Sequence, residues 1–260
     1  MRWPLCIVML GVGLTSIGCH TFKSPPKGTN IAGIEYPASR LKFLADVTFV
    51  DENGERHVDQ EIFDEVLQLI SGARRFILVD MFLFNAFQGS TPEYTRLLSG
   101  ELTEALLAQS LQLSGIGVVG IGDPINTIYG GAISPFLTAL RQAGANVTMC
   151  KLEKLRDSNL YYSLFWRLTF RWLGNNSKGG LMPHPFGGQK VTARSWLRLL
   201  NFKADHRKVF IADTPNGLEA IVASGNAHDA SSAHHNVAVR FSGPAVMDLF
   251  ESELAVLRFS

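Results

Sequence analysis

The sequence predicts an α/β layered domain, a sheet flanked by helices. Two observations carry this. Segments with apolar residues at helical spacing alternate with short, continuously apolar runs of strand length. At 260 residues, 46% hydrophobic and 18% charged, the chain can also bury one sizeable core or two small ones. The same figures exclude a disordered or collagen-like chain. A polytopic membrane protein is excluded too, because only the first twenty residues hold a continuous apolar run.

The elements follow in order. Met1 to Cys19 has one Arg, an apolar stretch from Leu5 to Leu14 and then small residues, which is the pattern of a secretory signal. Ser16-Ile17-Gly18-Cys19 resembles a bacterial lipobox, in which cleavage precedes a Cys that then carries diacylglycerol. Plain cleavage and an uncleaved anchor are the alternatives. Residues 20–40, rich in Pro, Gly, Ser and Lys, read as a tether. Beyond the signal, Cys150 stands alone, so no internal disulfide supports the fold.

The domain is expected over residues 41–260. Val47 to Val50 reads as a strand followed by a turn at Asp51–Gly54. Glu61 to Ser71 reads as a helix with Ile62, Phe63, Val66, Leu67 and Ile70 on one face, stopped by Gly72. Arg75 to Phe84 is a buried-strand run, Pro92 to Gln112 a helix and Gly115 to Ile121 a strand. Ser134 to Ala143 is a helix closed by Gly144, and Asn146 to Leu152 a strand. Asp123-Pro124-Ile125-Asn126 and Tyr129-Gly130-Gly131 read as a structural turn after a strand. Asn175 to Gln189 is a Gly/Pro loop and Thr192 to Leu200 a short helix. Gly243-Pro244 opens a closing helix with Met247, Leu249, Phe250 and Leu254.

The net charge of +1 is unevenly spread. From Lys151 to Lys208 there are twelve Lys and Arg against three acids, while the other twelve bases face twenty acids. Such a segment is either a solvated face or the footprint of an anionic partner: phosphate, lipid headgroup or nucleic acid. Within it, Tyr161 to Leu173 packs six aromatics into thirteen residues, with Arg167 and Arg171 one helical turn apart. That pattern suits a core helix with snorkelling Arg heads, or a helix at a lipid–water interface.

The chemistry concentrates at His206-Arg207-Lys208-Val209-Phe210-Ile211-Ala212-Asp213, an H-x-K-x4-D pattern. On a strand, His206 and Lys208 face the same side. Thr214-Pro215-Asn216-Gly217 is a turn, and Leu218 to Ala223 a return strand ending at Ser224 and Asn226. A tight turn brings these two near His206 and Lys208. An imidazole can attack phosphorus or shuttle protons; an ammonium, a hydroxyl and an amide can hold phosphate oxygens.

These residues, with the upstream run FDEVLQLISGARRFILVDMFLF, resemble the phospholipase D (HKD) superfamily, and most its cardiolipin synthase-like bacterial branch. The resemblance covers about Glu61 to Phe259. It implies a phospholipase D-like layered α/β/α lobe with a mixed sheet. It also implies phosphodiester cleavage or phosphatidyl transfer through a phosphohistidine, with no cofactor. On this reading His206 is nucleophile or acid/base, and Lys208, Ser224 and Asn226 bind phosphate. Asp213 completes the motif as structural support. The family places a polar residue, often Glu, after S-x-N to orient the His. The nearest match is Asn236, whose amide can accept an imidazole N–H but gives an imidazolium no charge stabilisation. His228, His234 and His235 match no common metal spacing and read as loop residues.

The family's site needs two HKD motifs, and the sequence holds one. It therefore dimerises around a shared site, is the front half of a longer or split product, or is a degenerate lobe. The expected partners are a phospholipid substrate, a membrane surface and a second HKD lobe. The rival functions are a nuclease of the same superfamily, for which the basic segment would serve nucleic acid, and a catalytically incomplete lipid- or partner-binding lobe. The expected location is exported and lipid-anchored.

Overall fold

The structure, a computed structural model, describes residues 20–37 and 40–260. The signal and the lipobox Cys19 lie outside the described residues. The strands are β1 (Leu41–Val50), β2 (Arg56–Asp59), β3 (Phe76–Met81), β4 (Phe84–Asn85), β5 (Gly117–Gly122), β6 (Asn146–Met149), β7 (Lys208–Thr214), β8 (Gly217–Ala223), β9 (Ala227–His228) and β10 (Asn236–Ser242). The α-helices are α1 (Ile62–Ser71), α2 (Leu98–Gln112), α3 (Pro135–Gln142), α4 (Leu160–Leu168), α5 (Ala193–Arg198) and α6 (Ala245–Phe259).

Eight strands form one sheet in the order β2-β1-β10-β8-β7-β3-β5-β6, while β4 and β9 pair apart from it. The β3, β5 and β6 pairings are parallel and the remaining ones in the large sheet antiparallel, so the sheet is mixed. Strand alternation sorts the side chains into two layers. Ile77, Val79, Met81, Phe210 and Ala212 pack with Ile62, Phe63, Val66, Leu102, Leu106 and Leu137 of α1, α2 and α3. Leu78, Val209 and Ile211 pack on the other face with Val246, Leu249 and Phe250 of α6. This is the α/β/α layering expected from the sequence.

Several boundaries differ from the sequence expectation, each for a tertiary reason. The first strand is ten residues long rather than four, because β10, not anticipated as a strand, pairs with it from Leu41 to Asp46. Asp46 on β1 then accepts the Glu61 and Ile62 amides, both at 3.0 Å, capping α1 from outside the helix. The second helix starts at Leu98, not Pro92, because the Thr95 and Arg96 amides bond to Ser232 Oγ at 2.8 and 3.0 Å. Asp229 accepts the Ser99 amide at 3.0 Å and so supplies the cap. The strand after α3 ends at Met149, where Cys150 and Leu152 turn into a separate cluster with Tyr129 and Val256.

Of the segment read as a tether, residues 20–37 lie on the domain. The Asp157 amide donates to His20 O at 3.3 Å, Arg156 Nε to Lys23 O at 2.8 Å, and Tyr36 Oη to Asp248 Oδ2 of α6 at 3.1 Å. Gly28 has φ of +86°, and a Cβ there would stand 2.9 Å from that of Ala255 on α6, so glycine permits the close approach. Among the described residues no helix is long and apolar enough to cross a membrane.

Candidate active site

The β7–β8 hairpin closes through Pro215 and Asn216, with Thr214 opposite Gly217. β7 runs antiparallel to β3, with Lys208 opposite Met81. The start of β7, the ends of β3, β5 and β8 and the start of β10 therefore share one edge. Loops outside the carboxyl ends of parallel strands are where α/β folds build sites, and His206, Lys208, Ser224, Asn226 and Asn236 all gather at this edge.

His206 sits two residues before β7 and is exposed, whereas Lys208 is buried. The Lys208 ammonium turns back on the imidazole, 3.2 Å from Nδ1, and donates to His206 O at 3.1 Å. The Phe82 ring packs 4.6 Å from the imidazole centroid, and Lys208 Nζ lies 5.2 Å from the Phe82 centroid. Partial desolvation, then the Lys208 charge, lower the His206 pKa below its ordinary value. The ring is thus held neutral, the nucleophilic form, near neutral pH. Burial also lowers the Lys208 pKa, against the opposing charges of Asp80 and Asp205.

The loops that place this pair are tied by buried polar groups. Asp123 Oδ2 accepts the Asp205 amide at 2.7 Å, and Oδ1 accepts the Ile125 amide at 2.8 Å. Burial raises its pKa to about 7. Asn126 accepts the Phe84 amide at 2.7 Å and donates to Phe82 O at 3.0 Å. The turn at 123–126 is structural, as its sequence suggests, and it also fixes the residue before His206. Arg207 Nη1 reaches Glu253 of α6 at 2.7 Å. Burial and then the negative charges of Asp205 and Glu253 push the neighbouring Asp80 carboxyl well above the usual range.

The predicted residues do not all converge. Asn226 Oδ1 accepts the Leu83 amide at 3.1 Å, beside Phe82. Ser224 is exposed and donates to Asn236 Oδ1 at 3.2 Å, and its Oγ accepts the Val237 amide at 2.9 Å. Asn236 also donates to Ser231 O at 2.9 Å. The structure thus brings Asn236 to Ser224 rather than to His206, because the β8–β10 pairing places Val237 beside Ser224. A side chain at Gly225 would press on Asn236 at 3.1 Å.

Asp213 lies at the far end of β7, roughly 17 Å from Lys208 at strand rise. It takes no part in the constellation. Its carboxylate accepts the Arg75 and Phe76 amides and Arg75 Nε, each at 2.8 Å, pinning the start of β3. Burial raises its pKa, but the Arg75 side chain and these amides outweigh that and hold the carboxyl below its ordinary range. A depressed folded pKa gives stability above the unfolded value that is lost as pH falls through the folded one. Asp213→Ala is expected to cost about 2 kcal/mol at pH 7, mostly from the two stranded amides. It is also expected to flatten the acid limb of stability, both read by urea unfolding from pH 7 down to pH 3. An unchanged acid limb would sink this account.

The histidines at 228, 234 and 235 do not converge. His228 Nδ1 meets Asn85 O at 2.8 Å and His235 meets Thr48 O. Among the described residues, the side chains grouped closely enough for a metal are half-buried Asp51 and exposed Glu55 and His57, at the β1–β2 turn.

No family model matches the chain, and no curated protein matches it. Among solved structures it is similar to a phospholipase D family member, Nuc from Salmonella typhimurium, at 14% identity over 83% of this chain and 91% of that one, with a TM-score of 0.39. It is similar also to NucT from Helicobacter pylori, at 14% identity over 84% and 97%, with a TM-score of 0.38.

Proposed function

We propose that the chain is a phospholipase D-type phosphodiesterase lobe that works through a phosphohistidine on His206. The observation that carries this is the pairing of an exposed imidazole of lowered pKa with a buried ammonium 3.2 Å away, at the sheet edge that also presents Ser224 and Asn226. A His206 ring nitrogen attacks phosphorus, the bond from phosphorus to the leaving oxygen breaks, and that oxygen takes a proton. Water or an alcohol then attacks phosphorus, the P–N bond breaks, and the nucleophile's proton is removed. Lys208 and the Asn226 amide neutralise and hold the non-bridging oxygens.

Among the described residues of one copy, no second proton carrier reaches the His206 ring. Among the described residues the polar side chain that meets the His206 ring is Lys208. We assign the acid/base to His206 of a second copy, which the exposure of the first leaves room to approach. Activity per mole of protein is then expected to rise with protein concentration.

Phospholipid is the substrate class favoured, for hydrolysis or phosphatidyl transfer, because the aromatic segment after Leu160 is exposed at Tyr161, Phe165, Leu168 and Trp172. Export and an acyl anchor on Cys19 belong to the same reading and rest on the lipobox pattern. The concentration of Lys and Arg from Lys151 to Lys208 favours a second reading, cleavage of nucleic acid. The test is trapping. Phosphorus-labelled phosphatidylglycerol, and in parallel labelled DNA, are incubated with the protein and quenched in alkali. Acid-labile, alkali-stable label on the wild type and none on His206→Ala is expected with the lipid. Label from DNA alone moves the assignment to a nuclease, and none from either overturns the mechanism.

A further inference from the structure

A second cationic site lies in the basic segment, outside the His206 constellation. A pocket of about 220 Å³ is lined by Arg167, Arg171, Arg194, Arg198 and Lys203, with Tyr129 and Trp166 as its apolar walls. Glu153 and Asp157 also line it, leaving three surplus positive charges. Asp157, its carboxylate fully buried, takes Arg167 and Lys203, each at 2.8 Å, and Glu153 takes Arg198. Arg171 and Arg194 have no ion pair among the described residues. Buried N–H groups at Arg167 Nε and Nη2 and at Arg194 Nε have no hydrogen-bond partner there either. Buried guanidinium donors without acceptors are costly. An anion with several oxygens would satisfy them at once, in the fork geometry guanidinium favours.

The backbone around the pocket is also strained. Among the described residues, the non-glycine positions with φ in the left-handed region are Ile128, Tyr129 and Phe202, at +44°, +53° and +51°. Tyr129 is a pocket wall with Arg198 5.5 Å from its ring centroid, and Phe202 separates two lining residues, Asn201 and Lys203. Strain of this kind persists where surrounding packing enforces it, often at ligand sites.

The rim names the anion. The helix that sends Arg167 inward turns Tyr161, Phe165 and Leu168 outward, and the next turn exposes Trp172 and Leu173. A cationic cup beside a contiguous aromatic and aliphatic surface matches a molecule that is anionic at one end and apolar at the other. His20, next to the expected acylation site, lines the same pocket. We propose that this pocket binds the phosphate headgroup of an anionic phospholipid while Phe165, Leu168 and Trp172 enter the acyl region. This deepens the phospholipid reading of substrate class but needs no turnover at His206.

The test reads binding alone. The full-length protein is titrated with dihexanoyl phosphatidylglycerol below its micelle concentration, and separately with dihexanoyl phosphatidylcholine, inorganic phosphate and an oligothymidylate. Phosphatidylglycerol is expected to bind tightest. The double variant Arg171→Gln/Arg194→Gln, which breaks no ion pair, is expected to weaken it about tenfold or more. The same loss is expected in a His206→Ala background, which separates failure here from failure of the phosphohistidine reading. Phe165→Ser/Trp172→Ser is expected to weaken the lipid and leave inorganic phosphate unchanged. Unfolding midpoints show that each variant is folded. Equal lipid affinity in wild type and the Arg variant overturns the proposal. So does oligothymidylate or phosphatidylcholine bound as tightly as phosphatidylglycerol, or a Phe165/Trp172 variant that changes only self-association.

Discussion

His206→Ala is expected to lower phosphodiester turnover by roughly 10³-fold, the scale of losing a positioned nucleophile or proton carrier. The loss should fall on kcat, since Lys208 and Asn226 remain to hold the phosphate. The same residue sets a pH limit. Its pKa is lowered by partial desolvation and by Lys208, so the nucleophilic form persists below the ordinary imidazole range and the rate should fall as pH drops through that pKa. The second copy's imidazole must carry the proton given to the leaving oxygen, so the rate should fall on the alkaline side as well. If two copies share the work, wild type mixed with excess His206→Ala loses activity faster than dilution alone predicts, because mixed pairs carry one imidazole. Initial rates on a chromogenic phosphodiester check all three. A variant retaining a tenth of wild-type kcat would remove His206 from the chemistry.

The placement of the candidate residues was readable where it is local. H-x-K on a strand and S-x-N after a tight turn are short-range patterns, and the hairpin does deliver both to one edge. What could not be read is register. Asn236 was expected at His206, but the β8–β10 pairing sets it against Ser224, and no one-dimensional spacing encodes that offset. Asp213 lies within the same eight-residue pattern, yet five strand residues carry it to the opposite end of the sheet, where its partners are the Arg75 and Phe76 amides.

The helices show the same division. Apolar spacing located α1 and α3 to within a residue, and α3 carries its own cap: Ser134 accepts the Leu137 amide at 3.3 Å. α1 and α2 are instead capped by Asp46 and Asp229, fifteen or more residues distant in sequence. A charged residue inside a strand run, such as Asp46, weakens the strand signal of β1 for the very reason it is useful to α1. Arg240 does likewise in β10, where it meets Glu65 and Glu219. Buried Asp80, Asp205 and Glu253, with half-buried Arg207 among them, join three distant segments and leave no trace in any one of them.

Phe210→Ala is expected to be the most destabilising single truncation in the His206 hairpin, costing about 3 to 5 kcal/mol. Phe210 is fully buried at the centre of β7, and its ring meets Phe63 of α1 edge-on at 6.2 Å between centroids. It belongs to the cluster that joins the sheet to α1, α2 and α3, whose members Ile62, Val66 and Leu106 are fully buried or nearly so, and a core packed this closely has little freedom to collapse into the vacated volume. Ile211, one residue on, faces α6 instead, and Ile211→Val should cost only about 1 kcal/mol because one methylene is lost. Urea unfolding compares the two: the midpoint should fall steeply for Phe210→Ala and slightly for Ile211→Val, with the slope unchanged in both. Equal shifts would mean that the two faces of β7 are not packed as the α/β/α layering requires. Because β7 begins at Lys208, loosening Phe210 also frees the residue that orients the His206 imidazole. Folded Phe210→Ala should therefore turn over more slowly than wild type at temperatures well below its own unfolding, an effect Ile211→Val should not share.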